Sequence, residues 1–467
     1  MTGRDLTRLF APESIAIVGA SANPAAIGGQ PIAFLQAQGF AGRIYPVNPK
    51  YPEVAGLPCY PALADLPEAP DIVVVAVSAA LVPETITAAG AIGARFAIVF
   101  SAGFAEAGAE GAQRQRALAD LARESGVTLV GPNCQGMMNI SVPVHVGFGP
   151  PYGLRYRKGG FALTSQSGAF GNSVVMDLDS RGVGLARYIS TGNEADLGTV
   201  ECLGAFLEME DVTALGAYVE GLADQAGFRK LAQRARAAGK PVILWKVGTS
   251  PAGARAARAH TANLCPETDF RASAFRAEGV IDVRDARDIA ICLAALWSCS
   301  RPAGRRVGIV TLSGGAGIAA ADRCHDAGLD VVPLAQATMD RMKPKLPSFA
   351  SLQNPVDVTG SAVNDPESLA AALTAVAEDP GVDAMILALA AAAGRAARIA
   401  AEEIVRLRRE QAKPVLVCWN GPREMSEEAR AIFEGAGVHI FTSPGDAVRG
   451  LEALCIAAGL PEPDGAG

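Results

Sequence analysis

Short apolar runs alternate with alanine-rich stretches through the first 145 residues of the chain. The apolar runs are 14–19, 42–47, 71–77, 96–100 and 127–130. Strands that are apolar throughout, rather than at every second position, are typical of a parallel sheet that helices cover on both faces. Their recurrence roughly every 25–30 residues fits strand–helix units. The pattern therefore predicts a Rossmann-like α/β domain over residues 1–145.

The same alternation returns twice later in the chain, each time beginning with a strand, a loop of small residues and a helix. The first return is the run 160–164 with the loop that follows it, and the second is the run 307–312 with its own loop. This internal repeat predicts two flavodoxin-like domains, over residues 158–300 and 304–460. Residues 141–160 are rich in proline and glycine, so we interpret them as an inter-domain linker with His145 in a surface loop.

Composition and charge disfavour several classes of protein. The 467 residues are half hydrophobic and carry a formal charge of −7, which argues against non-specific binding of nucleic acid or of an anionic membrane surface. The longest apolar runs, 72–82 and 385–393, are shorter than the stretch of about 20 residues that crosses a bilayer, and the first residues lack a signal-peptide core. Nine scattered cysteines without a C-x-x-C pair predict reduced thiols in a cytoplasmic protein, and no metal site.

Small and polar residues follow four of the predicted strands of the first domain. They are Gly19, Ser21, Asn23 and Pro24 after the first strand, Asn48 and Lys50 after the second, Val77 and Ser78 after the third, and Ser101 and Gly103 after the fourth. Because parallel strands end at the same edge of a sheet, these residues predict a ligand groove there. The G-x-G-x-x-G fingerprint is absent and Asn48 stands where an NAD site usually has an acid, so a phosphorylated nucleotide fits better than NAD. A plain turn with no ligand is the alternative for Gly19 and Gly28.

Candidate reactive groups gather in and beside the second predicted domain. The segment Ser165, Gln166, Ser167 and Gly168 begins a helix, where backbone N–H groups bind anions, although a simple serine cap is an alternative. Asn133 lies in a loop that two glycines and a proline fix, where it can form hydrogen bonds. Glu220 ends one strand and His260 follows the next, so the two side chains can meet at one sheet edge. The acidic loop 191–198 is interpreted as solvated, and His325 and His439 as packing or surface residues.

Taken in order, the motifs GASANP, NPK, GPNCQG, SQSGAFG, GNEADLG, EG and AHTANL resemble those of the nucleoside-diphosphate-forming acyl-CoA synthetases, relatives of succinyl-CoA synthetase. The resemblance covers about residues 5–458 and matches the α subunit. It implies a CoA-binding domain followed by two ligase domains, with CoA in the first-domain groove and Lys50 near one of its phosphates. It also implies that His260 is phosphorylated, that residues 165–168 bind this phosphate, that Glu220 hydrogen-bonds the imidazole ring, and that Asn133 lies near the reacting acyl group.

The resemblance further implies a reaction and a partner. Members of the family convert a carboxylic acid, ATP and CoA to acyl-CoA, ADP and phosphate, and this chain has no recognisable ATP-grasp region. ATP and ADP, with Mg²⁺, should therefore bind a partner ATP-grasp β subunit in a hetero-oligomer. Ala262 and Pro266 stand where relatives commonly have glycine, which lowers the flexibility of the histidine segment. The alternative function is a CoA-binding regulatory module with no turnover, and an NAD-dependent oxidoreductase is a third hypothesis.

Overall fold

The computed structural model describes residues 4–261, 272–360, 365–390, 392–422, 424 and 426–461 of the chain. The chain divides into two compact units, Met1–Arg287 and Asp288–Gly467. Within the described residues, the first unit holds two large sheets and the second unit holds one. Helices follow most of the strands, so the predicted α/β class with parallel sheets is confirmed.

The N-terminal sheet contains five parallel strands. Its strands and a small hairpin are β1 (Ser14–Val18), β2 (Arg43–Val47), β3 (Glu53–Val54), β4 (Leu57–Pro58), β5 (Ile72–Val75), β6 (Phe96–Val99) and β7 (Thr128–Val130). The helices of this region are α1 (Thr7–Phe10), α2 (Gln30–Gln38), α3 (Val82–Ala91) and α4 (Ala109–Glu124). The strand order is β2-β1-β5-β6-β7, and neighbouring strands all run parallel, as the apolar runs predict.

The central strands of this sheet are buried on both faces. In β5, Ile72 and Val74 belong to one hydrophobic core, whereas Val73 and Val75 belong to the core on the opposite face. All of these side chains are 0% exposed. Because side chains alternate between the faces of a strand, a run without polar positions is the signature of such a strand. With both faces covered, the loops at the carboxyl edge of the sheet are left to bind ligands.

The second sheet of the first unit has seven strands. They are β8 (Gly136–Asn139), β9 (Val144–Gly147), β10 (Lys158–Ser165), β11 (Leu185–Ser190), β12 (Ala214–Val219), β13 (Val242–Lys246) and β14 (Val280–Asp282), and the helices are α5 (Gly168–Ser180), α6 (Thr199–Glu208), α7 (Gln225–Ala237) and α8 (Pro251–Thr261). The order is β14-β13-β12-β10-β11-β8-β9. β10 to β14 are parallel, whereas β8 and β9 extend one edge in antiparallel pairing.

The prediction of an inter-domain linker over residues 141–160 is wrong. Residues 144–147 form β9, and His145, which was predicted in a surface loop, is only 3% exposed. The Nδ1 atom of His145 lies 2.9 Å from the carbonyl oxygen of Tyr152, and burial lowers the pKa of the imidazole. Val144 and Val146 are fully buried, so the packing of a short apolar strand outweighs the prolines and glycines around it.

The second unit contains a sheet with the same strand order as the N-terminal sheet. Its strands are β15 (Arg306–Thr311), β16 (Asp330–Val331), β17 (Val356–Asp357), β18 (Ala384–Leu389), β19 (Val415–Trp419) and β20 (Ile440–Phe441). Its helices are α9 (Ala286–Ser298), α10 (Gly314–Asp326), α11 (Gln336–Met342), α12 (Pro366–Ala377), α13 (Gly394–Glu410), α14 (Glu427–Gly435) and α15 (Pro444–Ala458). The order is β16-β15-β18-β19-β20, and β17 pairs with β15. Among the described residues, no helix is both long enough and apolar enough to cross a membrane.

The two loop–helix segments that suggested an internal repeat share their local structure. The helices α5 and α10 both follow a serine at the N-cap position, Ser167 and Ser313 respectively. In each case a hydroxyl group two residues earlier donates to the carbonyl oxygen of that serine, from Ser165 at 2.7 Å and from Thr311 at 2.9 Å. The predicted repeat therefore extends to the hydrogen bonds of the loops.

Candidate active site

The loops after β1 and β2 are joined side by side at the carboxyl edge of the N-terminal sheet. The side-chain amide of Asn48 donates to the carbonyl oxygen of Ala20 at 2.7 Å, and its Oδ1 accepts from the Lys50 N–H at 3.0 Å. Gly19 has a φ of +86°, and a Cβ atom there would lie 2.5 Å from the carbonyl oxygen of Ala76. Glycine at this position therefore lets the first loop lie against the backbone that follows β5.

The other predicted groove residues either shape these loops or lie at their surface. The Ser21 hydroxyl accepts from the Asn23 N–H at 3.1 Å, and the Ser101 hydroxyl donates to the carbonyl oxygen of Val77 at 2.6 Å. Pro24, Lys50 and Ser78 are exposed. The loops thus form a continuous edge with polar backbone groups and one lysine, which suits a phosphate-bearing ligand.

The segment Ser165–Gly168, called the anion loop below, ends β10 and begins α5. Ser167 occupies the N-cap position, but its side chain accepts no capping hydrogen bond, and the Ser165 hydroxyl is used within the loop. The alternative of a simple serine cap is therefore wrong, because Ser167 is at the N-cap position without a side-chain capping bond. The N–H groups in the first turn of a helix have no partners within the helix and carry its positive end. Those of the 13-residue α5 are suited to binding an anion.

Gln166 joins the anion loop to Glu220. Its Oε1 accepts from the backbone N–H groups of Glu220 at 2.7 Å and of Gly221 at 3.1 Å. Its Nε2 donates to the carbonyl oxygen of Gly221 at 2.8 Å, and its side chain is buried. The pairing of β10 with β12 brings the two loops together, because parallel neighbours end at the same edge. Three hydrogen bonds from one side chain then fix the backbone on which Glu220 is carried.

Three aromatic rings connect the start of α5 to the ends of β12 and β13. The ring of Phe170 lies 5.0 Å from that of Tyr218 and 5.3 Å from that of Trp245, and the last two are 5.4 Å apart. Phe170 is 41% exposed, so one side of the cluster faces solvent. Contacts of this kind add to the apolar burial that holds two elements together, so the start of α5 is fixed beside the strand that leads to Glu220.

The predicted nucleophile, His260, lies in α8, but its side chain is outside the described part of the structure. Ala262 and Pro266 also lie outside the described residues. The helix α8 itself lies beside the 3₁₀ turn Ala105–Ala107, close to the loop that follows β6. The contact of the His260 ring with Glu220 therefore stays a prediction.

The loop that contains Asn133 links the two sheets of the first unit. Asn133 has a φ of +57°, and its N–H donates to the carbonyl oxygen of Ser101 at 3.0 Å. Its neighbour Gln135 contacts the anion loop, because a Cβ atom on Gly168 would lie 2.6 Å from the Gln135 Cγ atom. The loop thus touches the predicted groove on one side and the anion loop on the other. An acyl group that reacts with CoA from the groove and with phosphate from the anion loop would have to lie between them.

The interpretation of residues 191–198 as a solvated loop is wrong. Asn193 is 3% exposed and contacts Asn133, Gln115 and Glu106. Glu106, Gln115 and Asn193 were not among the predicted site residues. The rule that selected Glu220, a polar group at the carboxyl end of a parallel strand, also applies to Asn193 after β11 and could have found it.

Glu194 is a half-buried acid in the same loop. Its Oε1 accepts from the Thr191 hydroxyl at 2.8 Å, the Thr199 N–H at 3.0 Å and the Thr199 hydroxyl at 2.6 Å. Burial raises the pKa of the Glu194 carboxyl, and the hydrogen bonds from Thr199, Thr191 and Gln166 only partly oppose this. The ionised form is therefore less favourable in the folded chain than in the unfolded chain.

We expect Glu194→Gln to raise the midpoint of thermal unfolding at pH 7 by about 1–3 °C, for a gain on the order of 1 kcal/mol. Glutamine keeps an oxygen that can accept the same hydrogen bonds and removes the charge. Because the folded-state pKa lies above the ordinary value of 4.5, the gain should vanish below pH 4.5, grow between pH 4.5 and the folded pKa, and stay constant above it. Thermal scans from pH 4 upward measure this, with exposed Glu210→Gln as the control, and a gain that does not change with pH would contradict it.

Three family models match successive parts of the chain. Residues 13–140 match the CoA binding domain, residues 158–296 the succinyl-CoA ligase like flavodoxin domain, and residues 307–451 the Ligase-CoA domain. The order agrees with the predicted Rossmann-like CoA-binding domain followed by two flavodoxin-like ligase domains. That fold assignment is confirmed, and binding of CoA is supported at the level of the domain family.

The whole chain is similar to curated acetate–CoA ligases. It is 35% identical over 449 residues to acetate–CoA ligase (ADP-forming) I of Archaeoglobus fulgidus, covering 96% of this chain and 63% of that relative. It is 32% identical over 454 residues to the α subunit of acetate–CoA ligase (ADP-forming) II of Pyrococcus furiosus, covering 96% of this chain and 97% of the subunit. The chain thus spans less than two thirds of the Archaeoglobus relative but nearly all of the Pyrococcus α subunit.

A solved structure shows the same fold over the whole chain. The dinucleotide forming acetyl-coenzyme A synthetase 1 of Ca. Korarchaeum cryptofilum, in complex with phosphate and ADP, matches with a TM-score of 0.83 at 31% identity, covering 97% of both chains. The matches to successive domain families, to a complete α subunit and to this structure agree with one another. The chain belongs to the ADP-forming acyl-CoA synthetases of the succinyl-CoA synthetase superfamily.

Proposed function

We propose that this chain is the α subunit of an enzyme that converts a carboxylic acid, ATP and CoA to acyl-CoA, ADP and phosphate, through a phosphorylated His260 and an acyl phosphate. Its match to nearly the full length of an α subunit supports this role. Acetate is the first acid to test, since the relatives described above are named for acetate or acetyl-coenzyme A.

The observation that carries the proposal is the joining of the anion loop to Glu220 by Gln166. A phosphohistidine needs a site for its charged phosphate and a group that fixes its ring. The N-terminal turn of α5 suits the phosphate, and a carboxylate can hold one ring nitrogen of His260 as N–H so that the other attacks. The strand that precedes α8 is β13, which pairs with the strand before Glu220, so the histidine segment starts from the neighbouring strand end.

The chemistry is a sequence of three transfers. The free ring nitrogen of His260 attacks the γ-phosphorus of ATP, a P–N bond forms, and ADP leaves. An oxygen of the carboxylic acid then attacks that phosphorus, the P–N bond breaks, and an acyl phosphate results. Finally the sulfur of CoA attacks the acyl carbon, the carbon–oxygen bond to phosphate breaks, and phosphate leaves with the thiol proton. The α5 N-terminus would stabilise the transferred phosphate, and Asn133 would act beside the acyl group.

The groove of the first domain would bind CoA, with its phosphates near the loop that follows Gly19 and near Lys50. ATP, as its Mg²⁺ complex, would bind a partner ATP-grasp β subunit, so the working enzyme would be a cytoplasmic hetero-oligomer. Two observations support a separate partner. The Pyrococcus relative of similar length is named a subunit, and the longer Archaeoglobus relative extends well beyond the region that this chain matches.

The function can be tested on the chain alone by running the last two transfers backwards. Incubation with acetyl-CoA and [³²P]phosphate should label the protein with an acid-labile, base-stable phosphate and should release an equal amount of CoA. Addition of the ATP-grasp partner and ADP should then move the label into ATP. A panel with branched-chain and aromatic acyl-CoA covers other acids. Binding of CoA without labelling by any member of the panel would instead identify a regulatory module with no turnover.

A further inference from the structure

A chain of hydrogen bonds crosses the first unit from the loop after β6 to the loop that contains Asn133. Glu106, in the turn Ala105–Ala107, accepts through Oε2 from the side-chain amide of Asn193. Asn193, after β11, accepts through its own Oδ1 from the side-chain amide of Asn133 at 3.2 Å. The first and last members thus lie at the predicted CoA groove and at the predicted acyl site.

Glu106 is held firmly at the start of this chain. Its Oε1 accepts from the N–H groups of Gly103 at 2.5 Å and of Phe104 at 3.1 Å. Burial alone would raise the pKa of the Glu106 carboxyl, but the hydrogen bonds from Asn193 and from the backbone lower it below the ordinary value. At neutral pH the side chain is therefore a carboxylate, which can accept hydrogen bonds but cannot donate them.

An acceptor at this position fixes the orientation of two amides in succession. The carboxylate requires the NH₂ group of Asn193 to face Glu106, so the Oδ1 atom of Asn193 faces Asn133. Asn133 must then turn its own NH₂ group toward Asn193. The other end of the Asn133 side chain is consequently its Oδ1, an acceptor.

Gln115 favours the same orientation of the Asn193 side-chain amide as Glu106 does. Its Oε1 accepts from the Asn193 NH₂ group at 2.9 Å and from the Ala105 N–H at 3.2 Å. Both hydrogens of the Asn193 amide thus meet acceptors, and the orientation of that amide is determined twice. Gln115 is itself oriented by the Ala105 N–H and by its own Nε2, which donates to the backbone carbonyl oxygen of Asn193 at 3.4 Å. Glu106, the charged acceptor, and Gln115 therefore fix the orientation of the chain together.

We propose that Glu106 is a positioning residue for the CoA step, which acts through Asn193 to present the Asn133 Oδ1 atom to the thiol of CoA. The inference rests on the proposed function. Asn133 Oδ1 accepts the S–H hydrogen bond and directs the sulfur at the acyl carbon. The carbon–sulfur bond forms as the bond from carbon to phosphate breaks, and the proton leaves with phosphate. The transfer between acyl phosphate and His260 does not involve the thiol and does not need this orientation.

The test is Glu106→Gln, which keeps the size of the side chain. Its oxygen can still accept from Gly103 and Phe104, but its NH₂ group must then face the NH₂ group of Asn193. Two donors then oppose each other, and only the neutral Gln115 still favours the original orientation, so the amides of Asn193 and Asn133 should reverse. We expect labelling of the chain from acetyl-CoA and [³²P]phosphate to slow by about 10–100-fold. Labelling from [³²P]acetyl phosphate, which bypasses CoA, should stay within about twofold of wild type. Equal slowing of both reactions, or of neither, would overturn the proposal.

A second variant separates orientation from general damage. In Glu106→Gln combined with Asn193→Asp, the introduced carboxylate accepts from the introduced amide and from Asn133, so Asn133 again turns its NH₂ group inward. Gln115 must then reverse to present its NH₂ group to the carboxylate, and it loses the hydrogen bond from the Ala105 N–H. Labelling of the double variant from acetyl-CoA and [³²P]phosphate should be at least about tenfold faster than that of Glu106→Gln alone. An unchanged rate would count against the inference. Exposed Glu110→Gln, in α4, is the matched control and should match wild type. A wild-type chain that is labelled by no acyl-CoA and no acetyl phosphate would overturn the proposed function, and this role with it.

Discussion

Replacing His260 with asparagine should abolish labelling of the chain by phosphate and should lower acyl-CoA synthesis by about 10⁴-fold or more. Asparagine has similar polarity but no nitrogen that can attack phosphorus. Every phosphoryl group that reaches the acid passes through this imidazole in the proposed mechanism, so no parallel route compensates. The measurement is acid-labile ³²P on the chain after incubation with acetyl-CoA and [³²P]phosphate, followed by synthesis of acyl-CoA in the complex with the ATP-grasp partner.

The same variant separates loss of chemistry from loss of binding. CoA should bind His260→Asn with wild-type affinity, because the predicted groove is formed by loops of the N-terminal sheet and not by α8. His325→Asn is the matched control, since His325 is an exposed residue in α10 and should be labelled like wild type. A His260→Asn chain that acquires the normal amount of label would show that the phosphate is carried elsewhere, and the assignment of the nucleophile would be wrong.

The strands and most helices could be predicted because each is encoded by residues close together in the chain. β1 and β5 lie within the apolar runs 14–19 and 71–77, at Ser14–Val18 and Ile72–Val75. Glu220 could be selected for a related reason, since the carboxyl end of a parallel strand is identified by the strand itself. β9 was missed because the prolines and glycines of residues 141–160 outnumber the apolar residues of this short strand. Its burial also depends on pairing with β8, which the local sequence does not indicate.

The polar contacts of the site could not be predicted because their partners are far apart in sequence. Glu106 and Asn193 are 87 positions apart, and Gln166 and Glu220 are 54 apart. Neither pair follows from periodicity, since the folded loops alone decide which amide meets which acceptor. Asn193 lies between glycine and acidic residues, a composition that is typical of solvated loops. Only residues that are distant in the sequence cover it in the folded chain.

Gly28→Ala should destabilise the first unit by about 3 kcal/mol and weaken CoA binding by about tenfold or more. A Cβ atom on Gly28 would lie 2.0 Å from the carbonyl oxygen of Gly19. That oxygen belongs to backbone, and the Gly19 N–H donates to Val47 at 3.0 Å while Asn48 holds the next residue. The loop cannot move away without breaking these bonds, so the predicted phosphate end of the groove should be distorted. Urea unfolding and titration calorimetry with CoA measure the two effects.

Gly204→Ala provides the control that isolates the clash. Gly204 lies in α6, where a Cβ atom would meet nothing within 4 Å, and alanine favours helix over glycine by about 0.5–1 kcal/mol. This variant should be slightly more stable than wild type and should bind CoA normally. If Gly28→Ala lost stability but kept its CoA affinity, the tight turn would serve the fold alone, and CoA would have to bind away from the loop after β1. Loss of both would support the turn as part of the groove, because the one methyl group that disturbs the loop would then also disturb the ligand.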